Sequence, residues 1–237
     1  MIAAQAALET KMLLRNGEQL LLTVVIPTLL LVLFSSVDIV DTGSEAVDFL
    51  APGILALAVM STAFTGQAIA TGFERRYGVL KRLASLPLPR WALMTAKTAS
   101  VLVTEVLQVV LLTVIAFALG WSPHGNPAAV LLLLVVGTAA FSGLGLLMAG
   151  TLKAEATLAA ANLVFLLLLV GGGVIVPLEK FGSTGEQVLG LLPISALSDG
   201  LRDVLQHGAG TPWGDLGILA VWAVAGLAAA GKFFRWE

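Results

Sequence analysis

Apolar residues in this chain come in long unbroken runs, not in the alternations that mark half-buried elements. Runs at 20–37, 50–72, 98–119, 128–150, 157–176 and 213–231 are each close to the roughly 20 residues an α-helix needs to cross a bilayer. They predict six membrane-spanning helices. Hydrocarbon offers no partner to a backbone N–H or C=O, so helices, which satisfy their own, are the expected form. The fold class is an all-α integral membrane protein, one transmembrane domain over 1–237. Pro27 falls inside the first run, where neighbouring helices can re-satisfy the carbonyl it frees. That run is longer than a signal-peptide core and no small-x-small cleavage site follows it, so it reads as a retained span.

The stretches between the runs differ in character. Residues 1–19 place Ile2, Ala3, Ala6, Ala7, Leu13 and Leu14 on one helical side. Gln5, Glu9, Lys11, Arg15, Asn16, Glu18 and Gln19 fall on the other, the pattern of an amphipathic helix lying in the interface. Residues 38–48 carry Asp38, Asp41, Glu45 and Asp48 with no basic residue. WSPHGNP, with its interfacial Trp, and TLKAEA are short turns. Residues 178–212 are too polar for a clean span and too apolar for an ordinary loop. Leu189, Leu192, Ala196 and Leu197 recur there at helical spacing around Pro193. Two short re-entrant helices dipping into the outer leaflet between spans five and six would account for that mixture.

Composition supports the membrane reading: 58% of residues are hydrophobic and 12% charged, with a mean hydropathy of +0.97. A soluble domain carries about a quarter charged residues. The absence of cysteine excludes disulfides, thiol catalysis and Cys-ligated metals. His124 and His207 sit in separate loops, so no metal site is expected. Charge fixes orientation. With six spans, eleven of the thirteen Lys and Arg residues fall on one side, and only Lys180 and Arg202 on the other. The positive-inside rule then places both termini and the 73–97 loop in the cytoplasm of a multi-pass cell-membrane protein.

Few residues offer chemistry. Glu105 is the one acidic residue placed inside a span, about two turns from its cytoplasmic end, and Gln108 shares its face. A buried ionisable group at membrane depth points to a proton relay or substrate contact; the alternative is a carboxyl hydrogen-bonded across the bundle. Gln67, Thr71 and Asn162 are further polar groups at depth, suited to interhelical bonding or to lining a path. Gly143, Gly145, Ala149, Gly150 and Gly171–Gly173 permit close packing or local bending. Residues 226–233 mimic P-loop spacing, but Phe233 stands where Ser or Thr belongs and the stretch ends a membrane helix. No nucleophile, base and orienter group together, so no catalytic residue is expected. No internal repeat is visible.

The 73–97 loop, FERRYGVLKRLASLPLPRWALMTAK, concentrates Arg75, Arg76, Lys81, Arg82, Arg90 and Lys97. Residues 74–84 read as a short helix interrupted at Gly78, with Leu80, Leu83 and Ala84 in an apolar strip, ended by Pro87 and Pro89. Attraction to anionic lipid would explain its charge, but does not require Glu74, Gly78 or the strip. The loop resembles the cytoplasmic loop of type-2 ATP-binding-cassette (ABC) exporter permeases, with its K-R-L-x-x-x-P turn. GGGVIVPLE, containing Pro177, and LLPISALSDGLRDVL, containing Pro193, Asp199 and Arg202, resemble that family's outer segment. The resemblance implies a six-helix half-permease pairing with a second copy, as homo- or heterodimer, in the lipid bilayer. It implies that Glu74, Arg75, Arg76, Gly78, Lys81 and Arg82 contact a separate ATPase subunit, which would bind ATP and Mg²⁺; no cofactor is expected on this chain and no nucleic-acid partner. The segment 193–202 becomes short outer helices near the exit. A hydrophobic or amphipathic cargo (drug, lipid or lipid-linked glycan) fits the nearly uncharged bundle. A proton-coupled transporter using Glu105 and an intramembrane enzyme are the other readings of the same residues.

Overall fold

The structure, a computed structural model, describes residues 24–36, 46–79 and 90–234, the side chains of 90–98 excepted. The expected interface helix at 1–19, the acidic stretch at 38–45, and Lys81, Arg82 and the 80–84 strip lie outside the described residues.

The described chain is helical throughout. In order come α1 (Ile26–Ser36), α2 (Ala46–Val59), a π-helical segment (Met60–Gly66), α3 (Gln67–Arg76), α4 (Arg90–Ala118) and α5 (Pro127–Thr151). Then follow α6 (Ala154–Gly171), a 3₁₀ turn (Leu178–Phe181), α7 (Gly182–Leu189), α8 (Pro193–Leu205) and α9 (Trp213–Phe233). Five helices are long and apolar enough to cross a membrane: Ala46–Arg76, Ala99–Ala118, Pro127–Thr151, Ala154–Gly171 and Trp213–Phe233. Helix α1 is apolar but short in its described part. Its Pro27 follows residues 24–25 that are already helical, so it lies within the helical run, as the sequence places it.

Helix α2, the π segment and α3 form one continuous 31-residue rod, about 45 Å long at 1.5 Å per residue. It is the core. The most apolar window of this rod is 94% buried, because small residues such as Ala51, Gly53, Ala56, Ala58, Ala63 and Ala68 let neighbours close in on every side. The outer helices bury one stripe each and present Val106, Val110, Val114, Leu163, Leu167, Val221 and Val224 outward, as lipid-facing helices do. Helix α6 is the least embedded, with 17% of its apolar window covered.

Helices α5 and α9 cross backbone to backbone. A Cβ on Gly143 would fall 2.6 Å from the Leu227 nitrogen, and one on Gly145 2.8 Å from the Phe64 carbonyl oxygen. The expected packing role of these glycines is met. Helix α5 begins with Pro127 behind Asn126, whose side-chain oxygen accepts from the Ala128 N–H at 2.9 Å.

Three boundaries differ from the sequence reading. The second span does not stop at 72 but runs on to Arg76, so Glu74–Arg76 end a membrane helix and do not begin a separate loop helix. Gly78 does break the chain, with φ of +70°. Helix α4 already starts at Arg90, so residues 90–97 belong to a helix and not to the 73–97 loop. The fifth span ends at Gly171, short of 176, because consecutive glycines leave it and Gly173 takes φ of +70°. Around Pro193 there are two short helices, as expected: Leu189 closes α7, and Pro193 opens α8 as its first residue.

Candidate functional site

The sequence-derived residues assemble in three places along the central rod. At the rod's basic end, Arg75 donates through Nη1 to the Gly150 carbonyl at 2.6 Å and through Nη2 to the Leu152 carbonyl. These are terminal carbonyls of α5 and its exit turn, which lack intrahelical donors. Arg76 pairs with Glu155 in the first turn of α6, where a carboxylate also complements the helix N-terminus. Both arginines, expected to face a partner, are thus committed to the turn between α5 and α6. Tyr77 stacks on Phe73 at 6.1 Å and is largely exposed. Gly72, Arg75, Arg76, Gly78, Lys153 and Glu155 line a groove of about 410 Å³ at this end. Lys153 and Glu155 were not singled out from sequence; the signal was there in a turn of only a few residues between two spans on the basic side.

At mid-rod, Glu105 and Gln108 lie on one face of α4, as their i, i+3 spacing implies. Both are buried. The Thr138 hydroxyl on α5 lies 2.6 Å from Glu105 Oε2 and 2.7 Å from the Leu134 carbonyl oxygen. The Thr62 hydroxyl, in the π segment, donates to Gln108 Oε1 at 2.8 Å. Two side chains therefore tie α4 to two different neighbours. Gln67 and Thr71 are also buried, and among the described residues neither polar atom of Gln67 nor the Thr71 hydroxyl has a hydrogen-bond partner; neither joins this pair. Asn162, on α6, is half-buried and apart from it. Glu105 is not the only acidic residue within a span, since Asp215 sits in the first turn of α9. It is the only acidic one that is buried among the described residues.

At the opposite end, Arg202 on α8 is 6% exposed. Its guanidinium lies 3.8 Å from the centroid of the Phe49 ring. Nε donates to the Phe49 carbonyl at 3.2 Å, and Nη2 to the carbonyls of Gly173 and Val174 at 2.6 and 2.9 Å. Nη1 donates to Asp199 Oδ1 at 2.9 Å. A planar fork with donors on three nitrogens is what such divergent acceptors require. Arg202 thus fastens the start of the rod to the non-helical segment after α6. Gly53 makes room, since a Cβ there would lie 2.8 Å from Nη2. Burial lowers the Arg202 pKa to about 10, partly opposed by Asp199, and the side chain stays cationic at neutral pH. Burial raises the Asp199 carboxyl, and Arg202 only partly offsets it.

The turn between α7 and α8 reaches inward. The Trp222 indole N–H donates to the Leu191 carbonyl at 2.9 Å, and Trp222 lies nine residues into α9, about 13 Å from its start. Ser198 donates to the Gly172 carbonyl at 3.3 Å. Pro193 starts α8, and Pro177 precedes the 3₁₀ turn. An open cavity of about 830 Å³ lies between these short helices and the start of α9, lined by Phe49, Pro177, Glu186, Asp199, Asp203 and Asp215 among others. Among the described residues no group of side chains could hold a metal ion.

The comparison with curated proteins gives no match. A family model described as ABC-2 family transporter protein matches residues 41–232, most of the chain and all three places along the rod. A helical membrane bundle carrying that match has one reading as to family: the chain belongs to the ABC-2 transporter family, as a membrane-embedded protein.

Proposed function

We propose that this chain is the permease subunit of an ATP-driven exporter. It works with a separate ATPase subunit, which binds ATP and Mg²⁺, and with a second permease copy. Its cargo is a hydrophobic or amphipathic molecule: a drug, a lipid or a lipid-linked glycan. The positive-inside rule supports a cytoplasmic basic end and two cytoplasmic termini, with α1 part of a sixth span. The helices α7 and α8 then form a re-entrant hairpin from the outer side.

The observation that carries this reading is the continuity of the central rod. One end is gripped by Arg75 and Arg76 through the α5–α6 turn, and the other by Arg202 through the outer hairpin. A push delivered at residues 77–89 would enter the rod directly and emerge at the outer cavity. The π segment, whose wider turn is a recurrent site of conformational adjustment, interrupts the rod near its middle. Glu74, Arg75, Arg76, Gly78, Lys81 and Arg82 are the proposed ATPase contacts, with Arg75 and Arg76 also holding the α5–α6 turn.

Co-purification tests the reading. The chain co-expressed with candidate ABC ATPases should retain one in stoichiometric amount, and a Lys81→Glu, Arg82→Glu double variant should release it without loss of the folded permease. Retention by the double variant, or no retention by the parent chain with any ABC ATPase of its own genome, would sink it.

A further inference from the structure

We propose that Glu105 is carried as a neutral carboxylic acid that donates its own hydrogen to Thr138, making it a positioning residue that pins α4 to α5 and not a carrier of protons. The inference goes beyond the transport reading and does not depend on it.

A threonine hydroxyl has one hydrogen and two acceptor positions. The Thr138 oxygen makes two short contacts, 2.7 Å to the Leu134 carbonyl and 2.6 Å to Glu105 Oε2. A carbonyl oxygen can only accept, and one residue four positions back is the usual acceptor for a threonine in a helix. One hydrogen cannot point along both contacts. With the Thr138 hydrogen spent on Leu134, the second must come from Glu105. An ionised carboxylate would instead press one lone pair against another at 2.6 Å.

The rest of the site agrees. Among the described residues, Glu105 Oε1 is buried with no hydrogen-bond partner. A carboxylate would leave half its charge on that bare oxygen in an apolar interior, whereas a neutral acid leaves only a carbonyl oxygen there. Among the described residues, the elements packed against α4 offer no compensating charge. From α1, α2, the π segment, α3 and α5 the buried polar groups are hydroxyls and the Gln67 amide: Thr28, Ser35, Ser61, Thr62, Thr65, Thr71, Thr138 and Ser142. The one other buried ionisable side chain among the described residues, Arg202, belongs to the opposite end and is occupied by Asp199 and three carbonyls. Glu105 therefore acts as Gln108 does one turn away, as a neutral hydrogen-bonding group joining α4 to a neighbour.

Infrared spectroscopy of the purified chain in lipid nanodiscs tests this without substrate or ATPase. At neutral pH the difference between the parent chain and Glu105→Gln should contain a protonated-carboxyl C=O band that shifts in D₂O. Thr138→Val, which removes the acceptor and keeps the shape, should move that band to higher frequency. Because an amide N–H can replace the acid O–H, Glu105→Gln should melt within a few degrees of the parent, and Glu105→Ala clearly lower. A carboxylate signature at neutral pH, converting to the acid only on acidification, overturns the proposal. So does a band that Thr138→Val leaves unmoved. Should Glu105→Gln fail to fold, the Thr138→Val shift alone decides.

Discussion

Replacing Arg202 by methionine tests the claim that the α7–α8 hairpin is clasped to the central rod. Methionine keeps most of the stem volume and removes the fork. The carbonyls of Gly173 and Val174 lie outside any helix and receive Arg202 Nη2 at 2.6 and 2.9 Å; each loses a charge-assisted donor in a buried setting, at about 1–3 kcal/mol. The Phe49 carbonyl can still accept within its own helix, so its loss counts for less. Asp199 is left without its cation, but its side chain is 41% exposed and water relieves it. Removing one partner of such a buried arrangement costs about 3–5 kcal/mol, a large part of a total stability of about 5–15 kcal/mol. At about 2–4 °C per kcal/mol for a chain of this size, the midpoint should fall by about 6–20 °C. Thermal melting of the purified protein in one detergent, read by intrinsic fluorescence, measures this. Arg202→Lys, a point charge without the fork, should fall between the two. A midpoint for Arg202→Met within about 2 °C of the parent would show that the clasp is geometry without energetic consequence.

Asp199→Asn should behave quite differently. Asn keeps an oxygen to accept from Arg202 Nη1 but removes the anion facing that buried cation; because burial works against the ionised carboxyl, the substitution should cost less than Arg202→Met, about 1–3 kcal/mol. The sign follows for pH: a raised acid withdraws stability as pH climbs from the ordinary aspartate range through the raised value. Melting compared across that window should shift progressively in favour of Asn. Gly143→Val should separate α5 from α9, because the added carbon meets the Leu227 backbone nitrogen; loss of monodisperse protein or a midpoint drop above about 10 °C is expected, as for other severe overpacking. Arg76→Glu and Glu155→Arg should each weaken ATPase retention and restore it when combined, while moving stability by less than about 1 kcal/mol, since the pair is exposed. Melting and pull-down on the same preparations check both halves.

The long apolar runs carried most of this fold because membrane helices announce themselves by length and composition, and the runs at 98–119, 128–150 and 213–231 match helices closely. Boundaries failed where charge entered a helix. Glu74–Arg76 look like loop in sequence, yet they continue α3 because the arginines find carbonyl and carboxylate partners on the next turn. Glu105 and Gln108 were legible as one face from spacing alone, but their separate partners, Thr138 and Thr62, are set by how three helices cross. Arg202 was legible only as one of two cations on the outer side. That it grips backbone carbonyls of a glycine-rich bend follows from tertiary approach at Gly53, which no local pattern encodes.

The crossing of α5 and α9 has its own consequence. Two helices meeting through bare backbone at Gly143 and Gly226 have no side chains at that point to slide or repack. They can translate together but can scarcely change their mutual angle. Any cycle of opening must therefore be taken up elsewhere, and the thinly covered α6, ending at its glycine bend, is the piece with least to lose by swinging. Amide exchange should show it: α5 and α9 slow and concerted, α6 fast by comparison, under the same conditions.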